Sequence, residues 1–429
     1  MRRLRFPIGI FLLTVAVRGF LLLHVAENDF LGGRLTPAGM QAGDEGIAVA
    51  VTLSRSGRFA DPFEGLPTGP TAHLPPLYPL ETSYIYRMFG YGKTAAGIRN
   101  GICIAGLGLL YASFPAATWA LGLAAEPGAI AGALAAIYPA FRAGEVFRGR
   151  DEWAAAALML WLTVLIYRMC TRAKARLVDT LLFGLGWGLL LHMQPSLVIV
   201  LPLHALILLL YRSPIPVRRR LAQMATAGAI AILMLVPWTI RNHSVLGAWI
   251  FMRDNLGLEM AVSNGDGAQP SQQDNWHSGW YCAVHPSCHA AAADEIRHVG
   301  EVEYNRRRLH EAAGWIQRHP RRAGMLTLAR AFEFWADIPS NRSTFVVRSL
   351  WSLFAWIGMA VMWRANYRLQ ARLLGSALVF YPLIYYLIQY TNRYVMPICF
   401  AIFLPAGFAL HQAYLAWRGR AVPLPPAPL

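Results

Sequence analysis

Apolar runs long enough to cross a bilayer recur along the whole 429-residue chain. A hydrocarbon core of about 30 Å calls for roughly 20 apolar residues in a helix, because backbone polar groups find no water there. Segments near 7–25, 97–117, 127–142, 153–170, 178–193, 196–211, 221–240, 346–363, 373–390 and 394–416 fit this in whole or in large part. Together they make about ten spans and predict an all-α, polytopic membrane protein. The 14% charged residues support this, since soluble domains carry about 25%. A net charge of +16 in such a chain reads as basic cytoplasmic loops. No basic stripe with interleaved aromatics appears, which excludes a nucleic-acid partner. The N-terminus, MRRLRFPIGIFLLTVAVRGFLLLHV, has a basic start and an apolar core like a signal peptide. No A-x-A-like site closes it, so it reads as a retained first span.

Orientation follows from the arginines. With Arg2, Arg3 and Arg5 inside, the turns carrying Arg172, Lys174 and Arg176, then Arg212 and Arg218 to Arg220, then Arg364, Arg368 and Arg372, and finally Arg418 and Arg420, fall on the same side. That side is cytoplasmic by the positive-inside rule, as are both termini. Two long loops, about 26–96 and 241–345, then lie outside, and loops of that length carry function. The expected organisation is a transmembrane module over 1–240 with a catalytic first outer loop, an outer helical loop over 241–345, spans over 346–417 and a cytoplasmic tail over 418–429. In the first loop, DEGIAVAVTLSRSG and PPLYPLETSYIYRMFG are amphipathic and predict helices lying in the interface. Were the second one a span, every later arginine cluster would face outward. No internal repeat is visible.

The unusual polar motifs converge on the outer face. They are Asp44–Glu45, the histidine-bearing GPTAHLPPLYP (His73), FRGRDEW with Arg150, Asp151 and Glu152, PWTIRNH with Arg241, and TNRYVMP with Arg393 and Tyr394. A carboxylate can take a proton from an attacking hydroxyl. Arginines and a histidine at headgroup depth can hold a phosphate, and apolar spans beside them can hold a lipid tail. Each motif also has a plainer reading. Asp44 suits a helix N-cap, LPPLYP suits a rigid connector, and arginines at span ends reach for headgroups. Arg18, inside the first span, requires a partner acid or an outward reach. Cys103, Cys170 and Cys399 read as core residues.

An acid pair in the first outer loop followed by a Pro-Pro-Leu motif resembles the GT-C glycosyltransferases. The chain is similar in particular to the branch of protein O-mannosyltransferases and the bacterial lipid A aminoarabinose and galacturonic acid transferases. GDEG matches the Asp-Glu motif of that branch and HLPPLYP resembles its Lys-Pro-Pro-Leu motif. VPWTIRNHSVLGAWIFM, GLEMAVSNG and NRYVMP are similar to stretches of bacterial members. The resemblance implies a polyprenyl-phosphate-linked sugar as donor, an inverting transfer to a hydroxyl of a lipid, glycan or protein acceptor, and a bacterial inner membrane. It implies Asp44 as catalytic base with Glu45 as its companion. His73, Arg150, Arg241, Arg393 and Tyr394 become donor or phosphate partners, and Asp151 or Glu152 a second acidic site. A divalent cation is left open, with Asp44 and Asp151 as its ligands if one binds; no other cofactor is implied. A flippase of lipid-linked sugars is the rival from another class, and a polysaccharide ligase or polymerase the rival enzyme. His73 stands where relatives have lysine, which makes a phosphate contact pH-sensitive.

In the second outer loop, NWHSGWYCAVHPSCHAAAADEIRH brings Cys282 and Cys288 close to four histidines. A disulfide suits the outer compartment, while free thiols and a zinc site remain open. Trp276, Trp280 and Tyr281 suit stacking on a sugar or insertion into the interface. The mixed-charge stretch that follows predicts a helical lid on the membrane surface.

Overall fold

The structure is a computed structural model that describes residues 2–25, 44–138, 152–336 and 342–419. The described residues are 79% helical and form no strands. Six helices among them are long and apolar enough to cross a membrane: Arg5–Leu22 within Arg2–Val25, Lys93–Ala120, Glu152–Thr171, Val217–Leu246, Phe345–Arg364 and Asn392–Trp417. Three shorter apolar stretches pack among them, Ala125–Ile137, Leu177–Leu191 and Pro195–Leu210.

The shortness of these three refines the ten-span expectation. Leu177–Leu191 has 15 residues, which at about 1.5 Å each gives roughly 22 Å. Pro195 and Pro202 break the next segment into a 3₁₀ turn, Pro195–Val200, and a helix, Leu201–Leu210. The expected span over 373–390 is likewise interrupted. Arg368–Phe380 ends before Pro382, and Leu383–Leu387 forms only a short turn of helix.

Packing is close where side chains are small. A Cβ on Gly128 would lie 2.4 Å from the Phe114 carbonyl oxygen, and one on Gly358 would lie 1.9 Å from that of Pro405. Only glycine lets these helix pairs, 93–120 with 125–137 and 342–364 with 399–417, approach backbone to backbone. Arg18 is fully buried and does not reach outward. It donates to the Ala135 and Tyr138 carbonyls at 3.2 and 3.0 Å, at the negative end of the Ala125–Ile137 helix. Cys103, Cys170 and Cys399 are buried free thiols.

The two long loops pack together at one end of the bundle. Glu45–Ser56 and Leu77–Phe89 form the predicted amphipathic helices of the first loop, with 12 and 13 residues. Gly57, with φ 72°, closes the first by donating to the Leu53 carbonyl. Ile47, Ala50 and Val51 pack on Ile85, Tyr86 and Ala95, which seats both helices on the second span. The lid is built from Leu256–Ser263, Ala290–Val299, Glu301–Arg318 and Pro320–Ala336 with shorter turns between. Phe63 of the first loop enters the lid's own core beside Leu258, Val262, Tyr281 and Tyr304. Trp280 is part of this interior too: its indole donates to the Val262 carbonyl at 2.8 Å and it covers Gly265 and Gly267. Trp280 and the buried Tyr281 therefore serve lid packing, and only Trp276 of the three aromatics is exposed.

Candidate active site

The site begins at the N-terminus of the Glu45–Ser56 helix. Asp44 is its N-cap, and Oδ1 accepts from Ile47 N at 3.2 Å. This confirms the cap geometry anticipated for that residue. The position also places the carboxylate on the positive end of the helix. Arg99 of the second span acts electrostatically on Asp44 and donates to Tyr78 Oη at 2.7 Å and Tyr86 Oη at 3.1 Å. Gly46 is needed here because a Cβ would lie 2.4 Å from the Tyr78 ring.

Glu45 points the other way and carries two histidines. Its Oε1 lies 3.8 Å from His73 Nε2 and 3.4 Å from His285 Nε2. Phe63 packs edge-on against both rings, and Tyr281 stacks on His285 with centroids 4.4 Å apart. The environments separate the two histidines. Burial pushes His285 down to about 4, with the charge of Glu45 opposing it only in part. Burial also pulls on His73, but the contact with Glu45 and the charges of Glu45 and Glu301 outweigh it and raise the group above its ordinary value. One carboxylate thus faces a neutral imidazole and one disposed to hold a proton, the pattern of paired acid–base groups.

Around this pair stand two arginines that retain open surface. Arg253 has 32% of its side chain exposed and Arg393 has 25%. Each has a loose carboxylate neighbour: Glu259 lies 3.9 Å from Arg253, and Glu152 lies 3.6 Å from Arg393. Arg253 acts electrostatically on His73, and Glu45 acts on Arg393. Tyr394 stacks on Tyr385 with centroids 4.1 Å apart, under the Arg393 guanidinium.

The structure places the remaining expected residues as follows. His73 is buried and turned toward Glu45, so it is a partner of the acid pair rather than a surface cation for phosphate. Arg241 is committed to the scaffold. Its terminal nitrogens donate to the Thr71 and Phe59 carbonyls at 2.6 Å each, and the guanidinium covers the rings of Phe59 and Trp238. With a further bond from Nη1 to Asn242 Oδ1 at 3.0 Å, three of its five N–H donors are spent within the protein. Arg150 and Asp151 lie outside the described residues. Among the described residues no three His, Cys, Asp or Glu side chains converge to hold a metal ion. Cys282 and Cys288 are joined in a disulfide, with Cα atoms 5.1 Å apart, that closes the turn carrying His285.

The fold superposes on solved structures over nearly the whole chain. The oligosaccharyltransferase AglB of Archaeoglobus fulgidus, in complex with an inhibitory peptide and a dolichol-phosphate, superposes with a TM-score of 0.54 over 97% of this chain at 13% identity. An oligosaccharyltransferase of the same organism tethered to an acceptor peptide with the NVT sequon gives 0.58 over 96% at 15% identity. The apo form gives 0.55 over 97% at 12% identity. The likeness is one of fold: this chain shares the fold of these archaeal oligosaccharyltransferases over the part that superposes. The chain spans about half the length of these structures, 52%, 50% and 51% respectively. No protein-family model and no curated protein matches it.

Within this fold, sequence reasoning missed Arg253, His285, Glu259 and Glu301 as site neighbours. Glu259 lies inside the GLEMAVSNG stretch and His285 between the paired cysteines. Those were the available signals. Nothing local marks Glu301, the first residue of a charged helix.

Proposed function

We propose that the protein is a membrane glycosyltransferase that moves a sugar, with inversion, from a polyprenyl phosphate to an acceptor hydroxyl at the extracytoplasmic face of a bacterial inner membrane. The observation that carries this is the convergence of the Asp44–Glu45 pair, two histidines of opposite protonation tendency and two open arginines at one end of a bundle with the GT-C fold. The dolichol-phosphate bound to the archaeal protein supports a lipid phosphate as donor, and the arginine distribution supports the orientation.

In this reading Asp44 accepts the proton of the acceptor hydroxyl. The oxygen then attacks the anomeric carbon from the face opposite the phosphate. The bond from that carbon to the phosphate oxygen breaks, and the polyprenyl phosphate leaves with the electron pair. Arg253 and Arg393 hold the charge that develops on it, displacing their loose contacts with Glu259 and Glu152. Tyr394 supports Arg393 from below. Glu45 orients His73 and His285 beside the reacting groups. A carboxylate base of this kind contributes about 10²- to 10⁴-fold.

The test supplies membranes from cells expressing the protein with a panel of radiolabelled polyprenyl-phosphate sugars, counting lipid, glycan and protein fractions separately. Expression-dependent label in one acceptor fraction identifies donor and acceptor class together. Label that crosses the bilayer of reconstituted liposomes without changing its carrier would instead identify a flippase.

A further inference from the structure

The lid and the first loop meet at one carboxylate that the proposed chemistry does not use. Glu301 opens the Glu301–Arg318 helix and is buried. Its Oε1 accepts from Ala72 N at 2.7 Å, and its Oε2 accepts from the Thr71 hydroxyl. Thr71 Oγ1 accepts in turn from His73 N at 2.9 Å. On the opposite edge of the same segment, Asp254 N donates to the Ala72 carbonyl at 2.8 Å. Asn305, one turn beyond Glu301, donates to the Asp254 carbonyl at 3.0 Å and so ties the two edges together. Thr71–His73 is therefore gripped on both sides by the lid, and its third residue carries the imidazole that faces Glu45.

We propose that Glu301 is a positioning residue: by gripping Thr71 and Ala72 it aims His73 at Glu45, so that the acid pair is completed only when the lid is docked. The grip is a statement of geometry; its catalytic meaning rests on the transferase reading above. The Ala72 amide and Thr71 hydroxyl are buried, and losing the acceptor would leave them unsatisfied and free the segment to move. Glutamine at 301 keeps an oxygen for the Ala72 amide, whereas alanine keeps none.

The test uses the purified full chain as wild type, Glu301→Ala and Glu301→Gln. Hydrogen–deuterium exchange is read on peptides covering 66–76, and sugar transfer is read as separate kcat and KM. Glu301→Ala is expected to speed exchange of the Ala72 and His73 amides about tenfold or more. It is also expected to lower kcat about tenfold while donor KM stays within about twofold. Glu301→Gln should recover most of both. Unchanged exchange in Glu301→Ala overturns the grip whatever the activity. Faster exchange with unchanged kcat overturns the positioning role. A wild type that transfers no sugar, while Glu301→Ala still loosens the segment, defeats the transferase reading and leaves the grip intact.

Discussion

Glu45 Oε1 lies 3.4 Å from His285 Nε2, so a carboxylate of the first loop touches a histidine carried by the lid. The same oxygen lies 3.8 Å from His73, which belongs to its own loop. Glu45 is thereby the meeting point of two segments far apart in sequence. Removing its charge removes what raises His73 against the pull of burial. Glu45→Gln is therefore expected to lower the His73 pKa, observable by NMR of ring-labelled histidine. An unchanged His73 titration would show that the two groups are not coupled.

The pH dependence of stability has a worked sign. Burial raises Glu301 to about 7 and Asp254 to about 6, against ordinary values of 4.5 and 3.8. A carboxyl group whose folded pKa is raised binds more protons when folded, so its contribution falls as pH rises from the unfolded to the folded value. His73, raised as well, contributes stability below its unfolded pKa and loses it as pH climbs through the folded one. His285, lowered to about 4, acts oppositely and loses stability as pH falls from 6.5 to 4. Glu301→Gln isolates one term. The wild type should lose stability relative to this variant between pH 4.5 and 7, by an amount on the order of 2–3 kcal/mol. Parallel melting curves for the two proteins across that range would contradict the assignment.

Two arginines should behave as opposites. Arg241 bonds two carbonyls and lies over Phe59 and Trp238, so Arg241→Lys is expected to destabilise the protein by about 2 kcal/mol, because an ammonium cannot reproduce the fork. Arg253 is more open, and Arg253→Ala should cost less stability than Arg241→Lys while lowering kcat about tenfold or more, because it meets the charge that develops on the leaving phosphate. Thermal melts in detergent and initial-rate kinetics read the two effects separately.

The disulfide closes a short loop around His285, with a sequence separation of 6. A loop of that size gives about 2 kcal/mol of unfolded-state constraint. Cys282→Ser is expected to lower stability by about that much and to free His285 from its stack on Tyr281. Mass spectrometry after alkylation without reduction checks the premise: modified Cys282 or Cys288 in the native protein would remove it.

The architecture was legible in sequence because apolar runs report directly on the bilayer. The polar motifs were legible because they interrupt those runs on one side. Asp44, Glu45, His73 and Arg393 stand out in this way, and the structure brings Glu45, His73 and Arg393 into one neighbourhood, while the cysteine pair was marked by its outer compartment. The interruption of the 373–390 segment had its own signal in Pro382 and was read through as a continuous span. Arg241 and Arg253 both follow the end of the seventh predicted span, and only the fold shows that one bonds two carbonyls while the other spends its Nε on Asn255 and keeps a third of its side chain exposed. Glu301 and His285 were out of reach for a different reason. Their partners, Ala72 and Glu45, lie in a distant loop, and no periodicity encodes such a contact.

The most direct measurement compares sugar transfer by the wild type and by Asp44→Asn at equal protein level in membranes. Asparagine caps a helix about as well as aspartate, so the Ile47 contact should persist, and comparison at equal folded protein level sets aside the loss of the charge that faces Arg99. What asparagine cannot do is accept the proton. The account predicts a fall in kcat of about 10²-fold or more with donor KM little changed. Transfer by Asp44→Asn at the wild-type rate would reduce Asp44 to a helix cap and contradict the central claim.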